Sequence, residues 1–240
     1  MLKLFKVFSL VVVLLSSLFI APSIDVHADA DIVWIGDSRS VGLAQGVFGL
    51  SPTAGSGGNA ETVAHKDGYH FIAKCSQGLN WGKGAIDKFD DFDSNTIVVW
   101  LGVNDLGNKE SYRTWLTELS NSYTVYLVSV TQCYSPSTIS NDTISDFNDM
   151  LKSIEGATYI DAYSLFEIST PSTDSMGVHY SASDYKMVFD LVKATMTESS
   201  VSGNNIHSKY KLNFRGHKPI FKPYFDFLAF KRRYLVGGNV

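Results

Sequence analysis

The stretch Ile32-Val33-Trp34-Ile35-Gly36-Asp37-Ser38-Arg39-Ser40-Val41-Gly42 decides the fold. Its apolar run, Ile32 to Ile35, reads as a parallel strand buried on both faces, and it stops at a glycine. Asp37 and Ser38 follow at once, and Val41, Leu43 and Ala44 then take up helical spacing. A serine at a strand-to-helix turn sits at the carboxyl end of the sheet, where open α/β folds place their ligands. It also lies by a helix N-terminus, whose free N–H groups favour developing negative charge. Capping is the commoner use of Ser and Asp at such turns, so this stretch alone leaves Asp37 and Ser38 between capping and catalysis.

Working outward, strands and helices alternate. After the first strand (31–36), helical spacing runs from Ser38 to Gln45, and residues 48–62, rich in Gly, Ser, Thr and Ala, read as a loop over the sheet. Further strands are read at Tyr69–Cys75, Thr96–Leu101, Thr124–Val130 and Thr158–Ile160. Helices are read near Lys83–Lys88 and at 111–121, 142–154 and 182–197. Tyr112, Trp115, Leu116 and Leu119 share one face of the second of these, and Tyr185, Val188, Phe189 and Val192 one face of the last. Alternation of this kind implies an α/β fold with a parallel, doubly wound sheet and right-handed crossovers. Five strands predict a flavodoxin-like, three-layer arrangement in the order 2-1-3-4-5. That order brings the turns holding Ser38, Gly78 and Asn104 side by side at the carboxyl edge of the sheet, which favours catalysis over capping.

A serine nucleophile needs a base within hydrogen-bond reach and donors aimed at the oxyanion formed on a carbonyl. The Ser38 N–H, the Gly78 N–H and the Asn104 side-chain amide supply three candidate donors. A glycine at 78 leaves room for a substrate to approach the backbone. His179, in Gly177-Val178-His179-Tyr180 just before the last helix, is the best placed base of the six histidines.

These blocks resemble the SGNH (GDSL-type) hydrolases. Gly36-Asp37-Ser38-Arg39-Ser40 matches the first block, Gly78 the second, Gly102-Val103-Asn104-Asp105 the third and His179 the last, over residues 31–197. The resemblance implies an esterase-like fold with Ser38 as nucleophile, Gly78 and Asn104 in the oxyanion hole, and His179 as base. It implies no cofactor. The family pattern places an aspartate three residues before the histidine; here that position is Met176, and the nearest acid is Asp174, five residues before. Asp174 is read as the third member of the triad, with the extra residues absorbed by a bulge at Gly177; a Ser–His dyad is the rival. The Gly-x-Ser-x-Gly elbow of the α/β-hydrolases is not met, because Ser40 stands in place of its second glycine.

The two ends differ from this domain. Lys3 and Lys6 precede an apolar run from Val7 to Ile20, and Val26-His27-Ala28 offers small residues at a cleavage site. Residues 1–28 therefore read as a secretory signal peptide, which gives a secreted or cell-surface protein. Residues 29–200 form the hydrolase domain. Residues 201–240 are a tail with eight Lys or Arg against the single acid Asp226, interleaved with aromatics. Two readings of it stand: an extension with no selected role, or peripheral contact with anionic membrane or wall polymer. The whole chain, with 20 basic and 24 acidic residues, has no excess of positive charge and no motif for nucleic acid.

Cys75 and Cys133 follow strands three places apart, roughly 14 Å at the inter-strand spacing, against the ~7 Å that a disulfide spans. No bond between them is expected. No group of Cys, His and acids has the spacing of metal ligands, so no metal is expected. The expected chemistry is hydrolysis of an ester carried by a carbohydrate or lipid. The alternatives are acyl transfer to a sugar and a catalytically silent cell-wall-binding module on the same fold.

Overall fold

The computed structural model describes residues 31–86, 94–168 and 170–206. The expected signal peptide, the end of the helix expected at Lys83–Lys88, and the tail beyond Ile206 lie outside the described residues. By its contacts the chain divides into Met1–Glu198 and Ser199–Val240; the sheet and its covering helices belong to the first unit, except that the last helix runs on past Glu198.

The elements in chain order are β1 (Ile32–Gly36), α1 (Ser38–Phe48), β2 (Glu61–Lys66), β3 (Tyr69–Lys74), α2 (Leu79–Ala85), β4 (Thr96–Trp100), α3 (Lys109–Ser120), β5 (Thr124–Val128), α4 (Asn141–Lys152), β6 (Ala157–Ile160), α5 (Leu165–Ile168) and α6 (Ala182–Ile206). The sheet runs β2-β3-β1-β4-β5-β6. Five of its strands are parallel and stand in the expected order, with Ile32 beside Tyr69 on one side and beside Thr96 on the other.

The sixth strand is a correction to the five-stranded, all-parallel reading. β2 pairs antiparallel with β3 at the edge of the sheet, so the segment 48–62, expected as a loop, runs at its end into a strand that begins at Glu61. The reason is the turn Asp67-Gly68. Both residues have positive φ, 53° and 79°, the geometry of a two-residue hairpin turn whose twist matches that of the strands it joins. Asp-Gly between two apolar-rich segments is itself a hairpin signal. The hairpin has another consequence: it makes His65 and His70 cross-strand partners and brings both to Asp31 at the amino end of β1, although no spacing in the sequence groups them.

Period-two alternation sorts β1 between two cores. Val33 and Ile35 are fully buried with Ile72, Ile97 and Val99 under α2, α3 and α4. The inward stripe of α3 (Tyr112, Trp115, Leu116, Leu119) is buried as its spacing predicts. Trp34 faces the other way, into an aromatic layer with Phe71, Trp100 and Phe189; Phe48 of α1 packs on Phe71 and Phe189 at 4.9 Å between ring centroids. α1 and α6 therefore cover one face of the sheet, which gives the three layers.

α1 outruns its expected end at Gln45 and stops at Phe48, because Gly49 adopts a left-handed conformation, in which its N–H donates to the Gln45 carbonyl and the Leu50 N–H to the Ala44 carbonyl. No helix among the described residues is long and apolar enough to cross a membrane.

The Asp67-Gly68 turn yields a test. Gly68→Ala forces a side chain into a left-handed conformation and is expected to lower the unfolding free energy by about 1–2 kcal/mol in a urea titration. An unchanged midpoint would mean that the hairpin turn does not hold the edge strand.

Candidate active site

β1 ends at Gly36, and Asp37 caps α1: its Oδ1 accepts from the Arg39 N–H at 3.0 Å. Ser38 is thereby freed from capping and becomes the first residue of the helix. Its own N–H lies in the first turn, where a helix offers no internal acceptor. Gly36 is required here because a Cβ would fall 1.8 Å from Ser40 Oγ, which itself accepts from Trp34 Nε1 at 3.0 Å.

His179 Nε2 stands 2.9 Å from Ser38 Oγ, and His179 Nδ1 stands 2.7 Å from Asp174 Oδ2. An ionised carboxylate only accepts, so Nδ1 carries the proton and Nε2 is left to accept from the serine hydroxyl. The five-residue separation of Asp174 and His179 is met by a small hairpin. Thr173 and Tyr180 form an antiparallel bridge, Asp174 N–H donates to the His179 carbonyl at 2.9 Å, and Gly177 turns the chain at φ 69°. Asp174 Oδ1 accepts in turn from the N–H groups of Met176, Val178 and His179. Burial works to raise the pKa of this carboxyl, but the hydrogen bonds from the His179 ring and the Val178 and His179 N–H groups outweigh it and hold it below the ordinary range. A turn at Gly177, rather than the expected bulge, thus brings Asp174 to His179.

The second and third motif blocks are clamped together. Asn104 Nδ2 donates to the Gln77 carbonyl at 2.8 Å, which fixes the amide and leaves its second N–H for another acceptor. Asp105 Oδ2 accepts from the Leu79 N–H at 2.8 Å and its Oδ1 from the Tyr112 hydroxyl at 2.7 Å. A Cβ on Gly78 would lie 2.2 Å from that same Asp105 carboxylate. The glycine is therefore demanded by Asp105, a partner 27 residues further along the chain.

Arg39 is the other residue whose role the sequence hides. It is 1% exposed, and its guanidinium donates to the carbonyls of Val178 (3.1 Å), Thr131 (2.8 Å) and Gln132 (3.2 Å) and to Cys133 Sγ (3.2 Å). It thus ties the helix that carries Ser38 to the loop that carries His179. Gly42 and Gly46 help: a Cβ on either would collide with Tyr185 or Ala182, so the glycines let the start of α6 press against α1. Cys75 and Cys133 are separate buried thiols.

A cavity of about 750 Å³ opens beside Ser38 and His179, walled by Val41, Gln45, Pro52, Ala60, Cys75 and Tyr185. Among the described residues its lining holds no Asp, Glu, Lys or Arg, so it suits an uncharged group.

No protein-family model matches the chain, and no curated protein matches it. Solved structures do resemble it. The C-terminal catalytic domain of peptidoglycan O-acetyltransferase A from Streptococcus pneumoniae shares 14% identity over 71% of this chain and 94% of that one, with a TM-score of 0.50. A member of the lipolytic G-D-S-L family from Veillonella parvula shares 17% identity over 70% of this chain and 98% of that one, also at 0.50. The fold is that of SGNH (GDSL-type) hydrolases, as the motif blocks imply.

Burial pushes the Asp37 carboxyl up to about 6, against the opposing pull of Arg39 and its N–H. A folded-state pKa raised above the unfolded value means that folding takes up a proton in this window. Wild-type stability is then lost as pH rises from about 4 through 6. Asp37→Asn keeps a capping side chain and removes the ionisation. Its stability relative to wild type is expected to improve by about 2–3 kcal/mol between pH 4 and pH 7. A difference that stays flat with pH would show that Asp37 titrates as an ordinary carboxyl.

Proposed function

We propose that this chain is an exported serine hydrolase that cleaves an ester borne by a carbohydrate or lipid through an acyl-enzyme on Ser38. The observation that carries the proposal is the continuous hydrogen-bonded relay from Ser38 Oγ through His179 to Asp174. In this reading His179 takes the serine proton as Oγ attacks the ester carbonyl. The Ser38 N–H, the Gly78 N–H and the free N–H of the Asn104 amide receive the oxyanion. His179 then returns the proton to the departing alcohol, and the same steps with water release the acid. Asp174 accepts from Nδ1 throughout and stabilises the imidazolium.

Transfer of the acyl group to a sugar hydroxyl is the second reading. It uses the same acyl-enzyme with a different acceptor, and the likeness in fold to an O-acetyltransferase domain supports it. Export rests on Lys3, Lys6 and the apolar run to Ile20, and contact of the basic, aromatic tail with an anionic surface rests on its composition.

On a small chromogenic acetyl ester, Ser38→Ala is expected to abolish turnover with folding intact. Asn104→Ala should lower kcat by about 10²–10³ with little change in KM, because the bond strengthens in the transition state. A pure KM effect would place Asn104 in substrate binding. Asp174→Asn should approach the loss of His179→Ala, on the order of 10³–10⁴ in kcat. A loss below about threefold, with His179→Ala inactive, would establish a dyad.

A further inference from the structure

At the amino end of the sheet, opposite Ser38, three side chains from three adjacent strands converge. His65 on β2 and His70 on β3 are direct cross-strand partners, and their rings stack at 4.2 Å with 27° between planes. Asp31, immediately before β1, reaches both: Oδ1 lies 3.4 Å from His65 Nε2 and Oδ2 lies 2.9 Å from His70 Nε2. The ligand-capable atoms of all three lie within 4.8 Å of one another. We propose that Asp31, His65 and His70 form a binding site for a divalent transition metal of the zinc class.

Geometry and ligand chemistry both favour this. Zinc takes imidazole nitrogen and carboxylate oxygen at about 2.0–2.2 Å, so ligand atoms around a tetrahedral ion stand roughly 3.3 Å apart. The two carboxylate-to-imidazole separations, 2.9 and 3.4 Å, bracket that value. Two imidazoles and one carboxylate suit zinc, nickel or copper over magnesium or calcium, which prefer all-oxygen shells. Three protein ligands leave a fourth position for water or a further ligand. His65 is half exposed, its side chain 49% accessible, which gives an ion an entry path.

The hairpin turn makes the site possible. Its two-residue loop fixes the register that sets His65 opposite His70, and the β1–β3 register brings Asp31 alongside, where the Ile32 N–H donates to the Gly68 carbonyl at 2.8 Å. A bound ion would clip the start of β1 to the edge hairpin, joining residues far apart in the chain. By strand rise the site lies roughly 20 Å from Ser38. Its occupancy is therefore a matter of stability, separate from turnover of a small ester.

The test titrates the full chain, stripped with a chelator, with zinc chloride alone by calorimetry at pH 7.5 and follows the melting temperature. The expected result is one ion per chain and a raised melting temperature. His65→Gln and His70→Gln should each weaken binding at least tenfold, while Ser38→Ala and His179→Ala leave it unchanged. His65 is exposed on an edge strand, so His65→Gln decides the matter alone if the His70 variant does not fold. Absence of binding at millimolar zinc, or affinity unchanged in His65→Gln, overturns the proposal. Loss of binding in His179→Ala with His65→Gln unaffected also overturns it and moves the ion to the Ser38 site.

Discussion

A buried guanidinium organises this molecule. Arg39, three residues beyond the end of β1, has its donors shared among the carbonyls of Thr131, Gln132 and Val178 and the Cys133 thiol, and its guanidinium carbon lies 5.3 Å from the centre of the Tyr180 ring. Burying such a charge is costly unless every donor is met. The cost is offset only when the loop after β5 and the loop before α6 both close on the first turn of α1. The same closure brings His179 to Ser38, two residues separated by most of the domain. The helix that presents Ser38 thus carries, one residue on, the group that draws in the loop of His179.

Around this tether the remaining geometry follows from close approach. Gly42 and Gly46 remove the side chains that would hold α6 away from α1, and Gly36 makes room for the Ser40 hydroxyl. Asp105 and Asn104 reach back to Leu79 and Gln77 and hold the backbone of Gly78 between them. Two polar clamps, one through Arg39 and one through Asn104 and Asp105, hold His179 and the backbone of Gly78 separately. That division explains why the motif residues outside Ser38 and His179 mostly contact one another.

Much of this is legible in the sequence because it is local. The run Ile32–Ile35 and the turn at Gly36 identify the central strand, and alternation of strands with amphipathic helices gives the parallel order. The edge hairpin is hidden by the Gly- and Ser-rich stretch before Glu61, though Asp67-Gly68 is a sufficient signal for it. Asp174 is legible as a candidate, but only the Thr173–Tyr180 bridge shows how a five-residue spacing meets the histidine. The role of Arg39 is not legible at all: nothing in its neighbours distinguishes a buried arginine from a solvated one. The same holds for Asp31, His65 and His70, which only strand register brings together.

The central claim is that Ser38 is activated for covalent attack by His179. Its most direct test is to incubate the intact protein with a serine-directed phosphonate and map the modified peptide by mass spectrometry. The reading predicts one adduct per chain on Ser38, formed with loss of ester turnover and suppressed in His179→Ala. A protein that stays unmodified, or that carries its adduct on another residue while Ser38 remains free, would contradict it.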